Sequence, residues 1–499
     1  MSDHPQHETA AADRIPIAQK LAFGFGMATP IAFVNSVAQL TNLIYNIGLG
    51  VSPILLGIAQ MVPRLWDAIS DPIAGYLSDN TRTRWGRRRP YIVFGGMAVA
   101  ITFVLIWTVP SGLGEYGIFA YYLAMSLLFY TAVTIFSVPL VALGCELTDD
   151  YHERTRLFAY GSFIGNIFAI LTPWMYTLAT LSFFANEVEG MKTIGMGVAV
   201  IILGSALVAG VVCKERNIAR VRTQEKIHFW PSIKATMTNR TFQRLIGIIF
   251  CITAGFNFVN GFANYIMIYY LYDGEKSVAS KLMGINGTAW AIAALIAVFP
   301  MTWASKRWGK ARTVQLAALG MMAGCLLKIV CYNRSYPWLT LFPTVLISTG
   351  MLVLYTMAGS MIADICDEDE LHNGVRREGS YSAVYSWWLK FAVSSAYLVA
   401  GFLLASTGFN EKVAIQSADT LFWLRFWEIG VPAMLCFVGY FLLRNYPLTE
   451  QRAYEIKNLL HGDSQHFCAT CGYDLTGNTS GTCPECGGEM RGPAPSAGD

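Results

Sequence analysis

Arg84-Trp85-Gly86-Arg87 recurs as Arg307-Trp308-Gly309-Lys310, 223 residues later in the chain. Each copy lies in a short basic stretch that follows a long apolar run, the second run in one case and the eighth in the other. The apolar runs fall near 21–47, 52–79, 91–109, 116–143, 158–184 and 193–213, then 245–271, 282–304, 313–333, 338–363, 380–406 and 420–443. A polar stretch, 214–244, divides them into two sets of six. The two copies therefore occupy equivalent places in two halves, the mark of a parallel duplication of a six-helix unit.

Composition agrees with that reading. The 499 residues are 54% hydrophobic and 14% charged, with a mean hydropathy of +0.42. Soluble domains carry about 25% charge, and this apolar content suffices for roughly twelve spans of about 20 residues. A net charge of +3 is too balanced for a nucleic-acid partner, so the expected environment is a lipid bilayer. Loops after the even-numbered runs hold 21 Lys and Arg and those after the odd-numbered runs hold 5, which predicts cytoplasmic termini in a cell (inner) membrane. Residues 1–16 lack the apolar core of a secretory signal. The organisation expected is a cytoplasmic tail (1–16), a first half (17–213), a central loop (214–244), a second half (245–444), a linker (445–465), a cysteine-bearing segment (466–490) and a tail (491–499).

The segment Arg64-Leu-Trp-Asp67-Ala-Ile-Ser-Asp71-Pro72 lies near the middle of the second run. Each charge there costs about 2.5–3.5 kcal/mol on insertion scales. Spacings of three and four residues put Arg64, Asp67 and Asp71 on one helical face, which must look into a cavity or a polar interface. Two carboxylates with one nearby cation leave about one negative charge uncompensated, and repulsion and burial favour uptake of a proton or a small hard cation such as Na⁺. A static ion-pair lock between helices is the alternative. Further on, Asp79 can pair with Arg84, Arg87 and their neighbours to hold an inner gate, and Gly75 permits close helix approach. Lys390, a lone ammonium in an apolar run, wants an anionic partner, and Asp67 or Asp71 is available; snorkelling toward water is the other possibility. Asn257, Asn260 and Asn264 form one polar stripe, which serves substrate contact or helix–helix hydrogen bonding.

Residues 64–90 resemble the signature of the glycoside–pentoside–hexuronide:cation symporters, the melibiose-permease family of the major facilitator superfamily. So do Ala363-Asp364-x-x-Asp367-x-x-Glu370-x-x-x-Gly374-x-Arg376-x-Glu378-Gly379 and Glu146-Leu-Thr-x-Asp-Tyr-x-Glu-Arg-Thr-Arg156, and the similarity spans about residues 16–450. The resemblance implies an all-α membrane protein of twelve transmembrane helices in two six-helix halves. It further implies a cation site of Asp67, Asp71, Ser70 and Thr134. Arg64, Lys390, Asn35, Gln39, Asn257 and Trp387 are then expected in the substrate and coupling region, and Asp79, Arg84, Arg87, Asp364 and Arg376 in gating. The chain departs from the melibiose type where that type grips sugar hydroxyls: Ile31, Ser137 and Ser162 stand in place of two Asp and an Arg.

Near the C-terminus, Cys468-x-x-Cys471 and Cys483-x-x-Cys486 are separated by 11 residues. Four thiolates so spaced predict a closed tetrahedral zinc ribbon, structural rather than catalytic, with Gly472 and Gly487 in the knuckle turns. It could take a cytoplasmic protein partner. Seven other cysteines are scattered along the apolar runs and read as small core residues.

No P-loop and no Gly-x-Ser-x-Gly elbow occur in the sequence, so neither an enzyme nor an ATP-driven pump is expected. The expected function is Na⁺- or H⁺-coupled secondary transport of a glycoside, sugar or sugar acid. Symport of a lysolipid-like amphiphile, or solute sensing through the zinc ribbon, are the alternatives.

Overall fold

The computed structural model describes residues 14–148, 151–214, 236–374, 377–411, 413–444, 446–448 and 450–461. Six long helices make the first half: α1 (Ile17–Gly48), α2 (Pro53–Asn80), α3 (Arg89–Trp107), α4 (Glu115–Glu146), α5 (Tyr151–Ala179) and α6 (Glu187–Val212). The second half follows with α7 (Arg240–Leu271), α8 (Lys276–Trp308), α9 (Lys310–Cys331), α10 (Pro337–Asn373), α11 (Glu378–Ser406) and α12 (Ala418–Arg444). Among the described residues, eleven of these are long and apolar enough to cross a membrane. The other is α2, whose 28 residues give it the length but which carries Arg64, Asp67, Asp71 and Asp79.

Two expectations need correction. First, α5 begins at Tyr151 rather than 158, because the charged residues of its first turns are held in the helix by their partners. Glu153, almost fully buried, accepts from the Ile15 backbone N–H at 3.0 Å and from Lys20 at 2.5 Å. Second, the linker expected over 445–465 contains a helix, α13 (Glu450–His461), which packs on α10 and whose Ile456 is fully buried. The four ribbon cysteines lie outside the described residues. Of the seven scattered cysteines, Cys213, Cys325, Cys331, Cys366 and Cys436 are buried, Cys251 is half-buried and Cys145 is exposed.

The duplication reaches into backbone geometry. Gly86 and Gly309, the glycines of the repeated tetrapeptide, have φ of +102° and +78°, a region where a side chain is strained. The ends of α1 and α7 both unwind to wider turns, over Asn42–Gly48 and Ile266–Leu271, segments that overlay on the same 223-residue offset. Such wide turns concentrate at functional positions. Here they shape the end at which the halves meet.

The halves join along α2 with α11 and α5 with α8, while α3, α6, α9 and α12 pack on the outside of their own halves. Contact across the junction is closest at one end. A Cβ on Gly401 would lie 2.5 Å from the Pro53 carbonyl oxygen, and one on Gly287 would lie 2.1 Å from the Pro173 ring. Tyr265 donates to Asn46 at 2.7 Å, Thr177 to the Ser280 carbonyl at 2.8 Å, and Lys276 pairs with Glu187. Toward the end that carries the repeated basic loops the junction is more open: on α2 the Asp71 side chain is 37% exposed, against 12% for Asp67 one turn farther from that end. The junction is therefore tight at one end and splayed at the other.

Candidate functional site

Pro63 and Pro72 interrupt α2 on either side of its charged face without ending the helix, as spanning helices tolerate. The i, i+4 spacing points Asp67 and Asp71 the same way, toward α4 and α11. From α4, Thr134 Oγ1 lies 2.8 Å from Asp67 Oδ1 and 3.1 Å from Asp71 Oδ1, so its one proton serves either carboxylate. Ser70 Oγ is 3.2 Å from the same hydroxyl. Two carboxylate and two hydroxyl oxygens thus converge, a donor set suited to a hard cation or a proton.

Lys390 of α11 reaches across the junction into this cluster. Its Nζ is 3.0 Å from Asp67 Oδ2, 2.5 Å from Asp71 Oδ2 and 3.1 Å from the Asp67 carbonyl oxygen. Lys390 thus takes both aspartates, the anionic partners that the sequence offered it, and compensates the charge that Arg64 alone would have left; it comes from the other half, more than 300 residues along the chain. Arg64 goes elsewhere. Its guanidinium sits 4.6 Å above the Tyr130 ring, beside Tyr397 and Tyr122, with a buried Nε that has no hydrogen-bond partner. The cluster is open to one side, because the Asp71 side chain is 37% exposed against 12% for Asp67.

The other residues singled out in the sequence are distributed as follows. Asn35 and Gln39 share an exposed face of α1, with the Asn35 amide donating to the Ile31 carbonyl. Asn257 is buried and its amide donates to the Thr253 carbonyl of its own helix. Trp387, one turn before Lys390, is 46% exposed and stacks on Phe391 at 5.6 Å. None of these four hydrogen-bonds the carboxylate cluster among the described residues.

At the loop end, Asp79 pairs with Arg88 at 2.8 Å, while Arg87 and Arg88 both reach Glu146 at the end of α4, at 2.5 and 2.6 Å. Arg84 is exposed and stands outside that network. In the second half Lys310, the repeat counterpart of Arg87, pairs with Asp364 of α10 at 2.6 Å. Arg376 lies outside the described residues, and its neighbour Arg377 pairs with Asp369 at 2.9 Å. In each half, then, the last residue of the repeated tetrapeptide ties its loop to a carboxylate near the end of the fourth helix of that half.

Residues 22–450 match the family described as MFS/sugar transport protein. The chain belongs to that family. Among its relatives, the isoprimeverose transporter of Lactiplantibacillus pentosus is 27% identical, covering 82% of this chain and 84% of the relative. The sodium-dependent lysophosphatidylcholine symporter 1 of Xenopus tropicalis is 23% identical over 91% of this chain and 92% of its own. Of solved structures, the D-xylose-proton symporter superposes with a TM-score of 0.61 at 14% identity, over 88% of this chain and 98% of that one, which establishes the all-helical transporter fold.

Sequence reasoning missed several residues of this family member's site region. Tyr130 and Tyr397 flank Arg64, and nothing in their apolar runs distinguishes them from core aromatics. Glu146, the first residue of the motif that follows the fourth apolar run, gathers two arginines. Lys328 and Glu428 form a buried ion pair between α9 and α12, with Tyr332 donating to the same carboxylate at 2.9 Å. A signal for that pair was present: two lone opposite charges in neighbouring apolar runs.

Proposed function

We propose that this chain is a cation-coupled secondary transporter of a sugar, glycoside or sugar acid, working by alternating access of its two halves. The observation that carries the reading is the oxygen cluster of Asp67, Asp71, Thr134 and Ser70, set at the junction and bridged by Lys390 of the opposite half. A cation entering the cluster competes with Lys390, so its binding alters the contact on which the halves pivot, and coupling is a binding free energy shared between the two events. Na⁺ and H⁺ both suit the donors. The sodium-dependent relatives favour Na⁺ and the solved xylose carrier, which uses protons, keeps H⁺ in play. The carbohydrate substrate rests on the family description and on the isoprimeverose relative.

Twelve spans, with α2 as the charged one, and both termini in the cytoplasm accord with the excess of Lys and Arg in the even-numbered loops. On that orientation the tight end faces outward and the splayed end faces the cytoplasm. The Cys468, Cys471, Cys483 and Cys486 set is proposed as a structural zinc site on the cytoplasmic side, a candidate contact for a protein partner.

The test is uptake into proteoliposomes with a sugar panel, with and without Na⁺ and at two pH values. Asp67→Asn and Asp71→Asn are each expected to abolish cation-dependent uptake in folded protein; unchanged coupling in both variants removes the mechanism. A second reading, symport of a lysolipid, is favoured by the lysophosphatidylcholine relatives and by the loss of charge at Ile31 and Ser137. Competition between sugars and lysolipids for uptake separates the two.

A further inference from the structure

On the outside of the second half, Gly324 brings α9 and α10 together. A Cβ there would lie 3.0 Å from the Ile347 side chain and 3.1 Å from that of Leu346. Beyond this contact, toward the end opposite the repeated basic loops, a cavity of about 750 Å³ lies between the last turns of α9 and the start of α10, whose first turn (Pro337–Thr340) is a 3₁₀ turn. Leu327, Tyr336, Trp338, Phe342, Val345 and Leu346 line it and are 37% to 66% exposed, so it is a groove open to the exterior. None of its eight lining residues is charged.

The dimensions and chemistry select an occupant. The groove adjoins the exposed face of α9 at Leu326 and Val330, and on a spanning helix that face meets hydrocarbon. From Trp338 to Leu346 it runs about 13 Å along the helix axis. That length keeps it within one leaflet of a hydrocarbon core about 30 Å thick, the reach of a single acyl chain. At the loop end, the Tyr336 hydroxyl and the Trp338 indole N–H have no hydrogen-bond partner among the described residues. Two donors with no carboxylate beside them suit phosphate and ester oxygens, as aromatic side chains with polar tips do at the edge of a bilayer. A second copy of the chain needs more surface: a stable interface takes about 20–30 residues a side, against eight here. The longer stretches of this chain outside the description, 1–13, 215–235 and 462–499, join helices at the other end.

We propose that the groove between α9 and α10 binds a glycerophospholipid of the bilayer, with one acyl chain against Leu327, Phe342 and Leu346 and the phosphate and ester oxygens accepting from Tyr336 and Trp338. The site lies outside the junction between the halves and is independent of the solute carried.

The experiment uses the full chain in detergent solution. Phosphatidylcholine brominated in mid-chain, which quenches tryptophan on contact, is added at a few molecules per protein. The Trp338 signal is the difference between the natural protein and Trp338→Phe. Its quenching is expected to saturate at about one lipid per protein. Val345→Phe, which fills the groove, is expected to weaken the binding about tenfold, and Tyr336→Phe, which removes one donor, about fivefold. If Val345→Phe fails to fold, saturation in the natural protein and the Tyr336→Phe shift carry the test. Quenching that rises with added lipid without saturating, or that neither variant alters, overturns the site. Brominated lysophosphatidylcholine that binds more tightly than the diacyl lipid makes the groove a port for a carried amphiphile and overturns the proposal. A doubled molar mass with Trp338 shielded overturns it as well, by making the groove a contact between copies.

Discussion

Thr134 faces two carboxylates with a single proton to give. The hydroxyl bridges the two aspartates, and its oxygen also offers a ligand to a small cation. Thr134→Val keeps the shape and removes both roles. A hydrogen bond to a charged group is worth about 1.5–3 kcal/mol, so the cation concentration for half-maximal uptake is expected to rise roughly tenfold or more, with maximal rate less affected. Cation titration of uptake checks this, and an unchanged midpoint removes Thr134 from the site. The repeated glycines make a separate residue-scale case. Gly86 and Gly309 hold φ of +102° and +78°, so Gly309→Ala is expected to cost about 1–2 kcal/mol, visible as a lower thermal midpoint in detergent. The tetrapeptide repeat was legible because these turns demand glycine in both halves. Asp67 and Asp71 were legible because carboxylates are rare at that depth. The Lys390 partnership was legible because a lone ammonium in an apolar run needs an anion; the place of Arg64 over Tyr130 was not, since helical spacing on α2 carries no information about the aromatic rings that face it.

At the scale of elements, α2 and α11 approach so closely that their backbones touch. A Cβ at Gly57 would be 2.9 Å from the Tyr397 carbonyl oxygen, and one at Gly401 would be 2.5 Å from that of Pro53. Neither can be relieved by a side-chain rotation, because the neighbour is backbone. Gly401→Val is therefore expected to prop the tight end apart, cut uptake by about tenfold or more, and increase labelling of a cysteine placed on that end. Equal labelling and uptake would show that the approach is incidental. The α9–α12 pair makes the opposite kind of claim. Lys328 and Glu428 are 6% and 0% exposed, and removing one partner of a buried pair costs about 3–5 kcal/mol, whereas replacing both is nearly neutral. Lys328→Met and Glu428→Gln alone should each lower the thermal midpoint, and the double variant should recover most of the loss. Helix number and order followed from apolar run length. The ends did not, because Glu153 and its neighbours read as loop charges until Ile15 and Lys20 supply partners, and α13 is too short and polar to stand out before Ile456 finds a core.

For the whole molecule, the central claim is that the tight end opens once in every transport cycle. Thr180 of the residues following α5 and Ser280 of α8 place their hydroxyl oxygens 3.1 Å apart across the junction, and each is anchored further, Ser280 through its carbonyl to Thr177 at 2.8 Å. Oxygens at that separation put the two β-carbons within reach of the roughly 3.8 Å that a disulfide needs. A Thr180→Cys/Ser280→Cys double variant, with Cys145 and Cys251 replaced because the other described cysteines are buried, should cross-link under mild oxidant. If the halves rock about the Lys390 bridge, the cross-link arrests net uptake, and reductant restores it. It should also leave the Asp71 side reachable, since that face of the cluster belongs to the splayed end; Asp71→Cys, introduced for labelling in the cross-linked protein, should still react with a water-soluble reagent. Uptake that continues at full rate in the oxidised protein means that the two ends do not alternate, and the carboxylate cluster would then have to be read as the ion-pair lock between helices that its sequence also allowed.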